Sequence, residues 1–161
     1  MANYDKIQAF VYQEARYLDD KQWDEWLELY DEKVTFWMPC WDDEDKLTTN
    51  HETEVSLIYY PNRCGLEDRV FRIRTERSSA TLPDTRTGHM ISNIEIIEEN
   101  DDEVKIRFNW NTLSFRYNKL DQFFGVSFYT LKKVEDSFLI TNKKVILKND
   151  YIRQILDIYH I

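Results

Sequence analysis

The feature that most limits how this chain can fold is a change of hydrophobic period near Gly88. From there on, four β-rich runs alternate apolar and polar residues: His89–Glu98, Glu103–Tyr117, Phe123–Val134 and Phe138–Lys148. Their connections, residues 99–102, 118–122 and 135–137, are short and polar, which suits antiparallel hairpins rather than helical crossovers. Before Gly88 the spacing is helical. Ile7, Phe10, Val11, Ala15 and Leu18 form one apolar stripe, and Trp23, Trp26, Leu27 and Tyr30 form a second. Asp19 or Asp20 is placed to cap the second helix. Leu66, Val70 and Ile73 predict a third helix after the turn Pro61–Gly65, while Val34–Pro39 reads as a strand; the state of Val55–Tyr60 stays open. Helices first and sheet second predict an α+β fold, its N-terminal helices packed on one face of a mainly antiparallel β-sheet.

One run carries a further clue. Val104, Ile106, Phe108 and Trp110 are apolar at even positions, whereas Leu113, Phe115 and Tyr117 are apolar at odd ones. A side chain changes face at every residue of a strand, so the flip predicts a bulge or bend at Asn111-Thr112 and a strongly curved sheet. Wrapped around the opening helices, such a sheet makes a cone with an interior cavity.

The material for a core is ample: 42% of the 161 residues are hydrophobic and 15% aromatic, against 3 Gly and 3 Pro. One domain spanning residues 1–161 is expected. The formal net charge of −9 makes nucleic acid a poor partner. No stretch approaches the roughly 20 apolar residues that cross a bilayer, and the N-terminus has no basic segment leading into an apolar run, so a cytoplasmic location is expected. Cys40 and Cys64 have neither zinc nor redox spacing.

Catalytic chemistry finds little support in the residues. His51, His89 and His160 are scattered, with no two-histidine-plus-carboxylate spacing for mononuclear iron and no cysteine–histidine pairs for a Rieske cluster. Gly65, Gly88 and Gly125 are too dispersed to cradle a nucleotide. What remains is acid–base chemistry in the cone interior, for which His89 is the candidate, with Tyr59 and Tyr60 as companions.

The segments DKQWDEWLELY (residues 20–30) and VTFWMP (34–39) resemble the first part of the small (β) subunit of aromatic-ring-hydroxylating dioxygenases. RIRTERSSA (72–80), FNWNT (108–112), FGVSFY (124–129), KKVILKNDY (143–151) and DIYHI (157–161) are similar to the benzoate, toluate and anthranilate branch of that family. The D-x-x-x-W-x-x-L-Y element alone is shared across the nuclear-transport-factor-2-like superfamily; the set in this order is specific. The resemblance implies a nuclear-transport-factor-2-like cone and a structural, non-catalytic role with no cofactor in this chain. It further implies an α3β3 complex whose large (α) subunits carry a Rieske [2Fe-2S] cluster and mononuclear non-haem iron, fed from NADH by a flavin reductase. Such a complex cis-dihydroxylates an aromatic carboxylate with O2, and the small subunit alone is expected to form a homotrimer.

Candidate contact residues are the basic stretch Arg63, Arg69, Arg72, Arg74 and Arg77, together with Arg86, because arginine suits bidentate ion pairs at interfaces. The C-terminal Ile155, Ile158, Tyr159 and Ile161 join them, as apolar groups where a free tail is normally polar. Two rival readings stand beside the structural subunit: a free-standing cone-fold isomerase or dehydratase acting through His89, and a small-molecule binding module.

Overall fold

The computed structural model describes residues 3–79 and 83–161, with the side chains of 77–79 outside the description. Helix α1 (Tyr4–Asp19) starts where the Asn3 side chain accepts a hydrogen bond from the Asp5 amide at 2.8 Å, satisfying one of the free N–H groups of the first turn. It buries Ile7, Phe10, Val11, Ala15 and Leu18, the stripe read from the sequence. Helix α2 is short, Trp23–Glu28, and takes no side-chain cap from either aspartate. Asp20 instead closes the C-terminus of α1, and Asp19 accepts from the amide of His89, so the expected aspartate cap is corrected. Tyr30, expected in the second helix, opens strand β1 (Tyr30–Pro39) and keeps its ring on Trp26 at 4.8 Å.

The open segment resolves as strand β2 (Ser56–Tyr60), antiparallel to β1. Helix α3 (Arg63–Ser79) buries Leu66, Val70 and Ile73 as expected. The long strands β3 (Arg86–Glu99), β4 (Glu103–Arg116), β5 (Lys119–Val134) and β6 (Ser137–Leu147) complete a six-stranded sheet in the order β2-β1-β6-β5-β4-β3. Every pairing is antiparallel except β1 with β6. A 3-10 turn at Ile158–His160 ends the chain's ordered elements and folds back into the core.

Strands β4 and β5 meet through Tyr117 and Asn118, both at positive φ (51° and 59°), the geometry of a two-residue type I′ hairpin whose twist matches its strands. The expected connection at 118–122 is therefore too long; β5 begins at Lys119 and carries Leu120 into the sheet. Gly125 of β5 permits a close approach there: a Cβ at that position would lie 1.8 Å from the Ile146 carbonyl oxygen of β6.

The curl of the sheet is real, but its cause differs from the sequence reading. Pairing of β4 with both neighbours runs without interruption through Asn111 and Thr112. The register shifts of the β3–β4 pair fall instead in β3, between Ser92 and Glu95 and between Ile96 and Glu98, with Asn93 at φ 56°, and β5 adds one against β6 between Thr130 and Leu131. The bulges in β3 bend this edge strand over α1, where the Tyr4 hydroxyl donates to the Ile94 carbonyl at 3.0 Å. The even-numbered face of β4 stays buried from Val104 to Ser114. Thr112 and Ser114 are thus inward polar residues, while Leu113 and Phe115 lie on the outer face.

Candidate subunit interface

The face that the alternation of β4 turns outward is apolar at one end of the sheet. Register aligns Arg86, Phe115 and Leu120 on one rung, Gly88, Leu113 and Gln122 on the next, and Met90, Asn111 and Phe124 on the third. Met90, Phe115, Leu120 and Phe124 retain between 42% and 61% of their surface exposed, and Tyr117 at the hairpin tip is exposed beside them. Gly88 leaves the middle rung open, since an added Cβ there would meet no atom within 4 Å. A contiguous group of large apolar side chains on an open sheet face is a candidate contact surface, because water solvates it poorly. Arg86, one of the candidate contact residues, borders this patch. The phase flip through Leu113 and Phe115 thus records a strand apolar on both faces rather than a bulge, and Leu120 and Phe124 of β5 join them through register alone.

The other candidates fall elsewhere. Arg69 forms a bidentate pair with Asp157, whose carboxylate also caps the C-terminal 3-10 turn, so this guanidinium clamps the chain's own tail. Arg63 reaches Glu67 at 2.9 Å and the Tyr30 carbonyl at 3.0 Å, and Arg74 pairs with Asp24 of α2 at 2.9 Å. Arg72 makes an exposed pair with Asp68 one turn away. Arg63, Arg69 and Arg74 thus make ion pairs within the chain while keeping part of their surface exposed; the side chain of Arg77 lies outside the described residues. Ile155 is exposed and remains available to a partner, Tyr159 is half-buried against Trp23, and Ile158 and Ile161 are inside the fold, so these last two cannot meet a partner while the tail is seated.

The acid–base trio does not assemble. Tyr59 and Tyr60 belong to β2 and His89 to β3, the opposite edges of the sheet. Tyr59 stacks on His51 at 4.3 Å, and Tyr60 packs on Phe36. His89 instead places Nδ1 2.5 Å from Asp19 Oδ1, and its amide donates to the same carboxylate at 2.9 Å. Burial alone would raise the Asp19 pKa; the bonds and charge of His89, with help from Thr87, more than offset this and hold it below the usual value. Among the described residues, no three His, Cys, Asp or Glu side chains converge as a metal site, and no helix is long and apolar enough to cross a membrane. The pocket under the helices, about 80 Å³ and lined by Trp23, Ile73, Thr87 and Tyr159 among others, is smaller than the roughly 150 Å³ cavity that admits benzene.

The tail is a titration sensor of stability. Burial lowers the His160 pKa from 6.5 to about 4. The unfolded chain therefore takes up a proton near pH 6.5 that the folded chain refuses until about pH 4. His160 costs nothing above that window, its penalty grows as pH falls through it, and below it the penalty is constant at about 3 kcal/mol, from ~1.4 kcal/mol per pH unit. Urea unfolding of a His160→Gln variant should show a shallower loss of stability than wild type between pH 6.5 and 4; parallel curves would contradict the assignment.

Comparison with known proteins places the chain. The ring hydroxylating beta subunit family matches residues 13–154, and the chain belongs to that family. It is 58% identical over 159 residues to toluate 1,2-dioxygenase subunit beta of Pseudomonas putida, covering 99% of this chain and 98% of that one. It is 59% identical over 157 residues to benzoate 1,2-dioxygenase subunit beta of Acinetobacter baylyi, with 98% and 93% covered. The crystal structure of the beta subunit of the benzoate 1,2-dioxygenase from Burkholderia mallei superposes with a TM-score of 0.88 at 52% identity, covering 100% and 99% of the two chains. The fold is accordingly the nuclear-transport-factor-2-like cone, and the chain is a component of a ring-hydroxylating dioxygenase.

Proposed function

We propose that this chain is the structural, non-catalytic small subunit of a Rieske-type dioxygenase acting on an aromatic carboxylate, and that the outer face of β3, β4 and β5 is its contact surface within an α3β3 complex. The observation that carries this reading is that apolar face, borne by a member of the family. In this reading the large subunit holds the Rieske cluster and mononuclear iron, a flavin reductase delivers electrons from NADH, and the cytoplasmic complex adds both atoms of O2 to the ring. The chain's own residues brace the cone: Arg69 pins the tail through Asp157, and the pocket under the helices is smaller than an aromatic acid needs. Benzoate or a toluate fits the relatives better than anthranilate, since the anthranilate 1,2-dioxygenase small subunit of Acinetobacter baylyi is only 37% identical. A free-standing enzyme finds no support in geometry that separates His89 from Tyr59 and Tyr60.

The test is direct. Expressed alone and purified, the chain should contain no stoichiometric iron and should leave benzoate unconsumed in the presence of reductase, NADH and O2. Iron at one equivalent, or turnover without a large subunit, would contradict the proposal.

A further inference from the structure

We propose that the inner face of the sheet, at the rung where His89, Thr112 and Phe123 lie side by side, holds an internal water site that bridges His89 of β3 to His160 of the C-terminal turn. Four buried polar atoms on this face and on the turn packed over it have no hydrogen-bond partner in the protein: His89 Nε2, Thr112 Oγ1, Trp110 Nε1 and His160 Nε2. Their burial is nearly complete, with the His89 side chain 2% exposed and Thr112, Trp110 and His160 at 0%, 3% and 2%. Folded proteins rarely leave even one such group unsatisfied, so four together point to a guest that pairs with them.

Register brings them together. His89 is the cross-strand partner of Thr112, and Thr112 that of Phe123. Trp110 lies two residues along the same face of β4. The His160 ring packs on the Phe123 ring at 5.1 Å, which sets it over the same rung.

The hydrogen-bond inventory selects the guest. The Asp157 amide donates to His160 Nδ1 at 2.9 Å, so the proton of the neutral ring sits on Nε2, which is a donor. Trp110 Nε1 can only donate. His89 gives its Nδ1 proton to the Asp19 carboxylate, which leaves Nε2 an acceptor in the neutral ring and a donor in the charged one. Thr112 Oγ1 does either. A guest must accept from two N–H groups and offer protons to the other two atoms, and water does both. With His89 neutral it pairs with all four atoms, which an anion or a metal ion does not. The adjoining pocket of about 80 Å³ suits water rather than an organic ring. Thr87, which lines it, shares the Asp19 carboxylate with His89, and Trp23, another lining residue, adds a further unpartnered indole N–H.

A high-resolution crystal structure of the full chain at neutral pH is the test, read beside that of Thr112→Val. Water density within hydrogen-bond reach of at least three of the four atoms is expected, with loss or halving of its occupancy in the variant. Direct pairing of the four atoms with one another, side chains filling the space, or density for an organic molecule would each overturn the proposal. Nitrogen-15 spectra of histidine-labelled chain give a second reading that needs no variant: His160 should carry its proton on Nε2 and His89 on Nδ1. The opposite tautomer at His160 would remove a required donor and overturn the site.

Discussion

Replacing Lys143 by alanine should lower the stability of this protein by about 4 kcal/mol, the cost of stranding a buried charge. Lys143 is fully buried on β6, with Nζ 3.2 Å from Glu14 Oε1, 3.4 Å from the Tyr30 hydroxyl and 3.3 Å from the Ile161 oxygen. It sits over the rings of Phe36 and Tyr129 at 5.0 and 5.3 Å. Burial pushes its pKa down while Glu14 opposes that shift, and burial followed by the charge of Glu14 pushes Tyr30 and Tyr129 well above the usual phenol value. Without Lys143 the Glu14 carboxylate keeps its bonds from the Trp26 indole at 3.2 Å and the Tyr129 hydroxyl but loses its buried countercharge. Because domains are stable by only ~5–15 kcal/mol, the variant should melt roughly 8–16 °C lower. The Glu14→Gln/Lys143→Met double variant removes both charges and should recover most of that loss in the same melting experiment. A single variant as stable as wild type would show that the pair does not hold the helix to the sheet.

Charge placed on the outer face should have the opposite profile, leaving the fold intact and breaking assembly. Phe115 and Leu120 are cross-strand partners exposed on β4 and β5. Substituting both by aspartate spares the core, and the like charges set opposite each other cost about 1 kcal/mol, so the melting temperature should move by only ~2–4 °C. At an interface, each apolar anchor lost costs about 2 kcal/mol or more, roughly 30-fold in affinity. Capture by the large subunit or self-association of the small one, read by size-exclusion with light scattering, should fall accordingly. Unchanged values for both would remove this face from the account.

Much of the fold was legible because local periodicity reports which side of an element is buried. The stripe Ile7, Phe10, Val11, Leu18 and the alternation through Val104, Ile106, Phe108 and Trp110 both face the core. Leu113 and Phe115 misled because a strand apolar on both faces and a strand with shifted register look alike in sequence. Only the burial of Thr112 and Ser114 separates them, and it depends on distant partners. Lys143 was illegible for a similar reason. It stands beside Lys144, whose Nζ lies over Trp37 at 5.0 Å on the other face, and nothing local says which of two adjacent lysines turns inward. The ion pairs of Arg69 and Arg74 were illegible because their carboxylate partners, Asp157 and Asp24, are far away in the chain. The absence of ligand spacings and the chain-long resemblance carried the family reading, and neither required knowing where a single side chain points.

The most direct measurement of the central claim is native mass spectrometry of this chain co-expressed with a Rieske large subunit of the benzoate class. The account predicts a complex with the two chains in equal number, iron accompanying the large subunit, and collapse of that complex with the Phe115→Asp/Leu120→Asp chain. A large subunit that is fully assembled and active without this chain, while the chain runs separately, would contradict it.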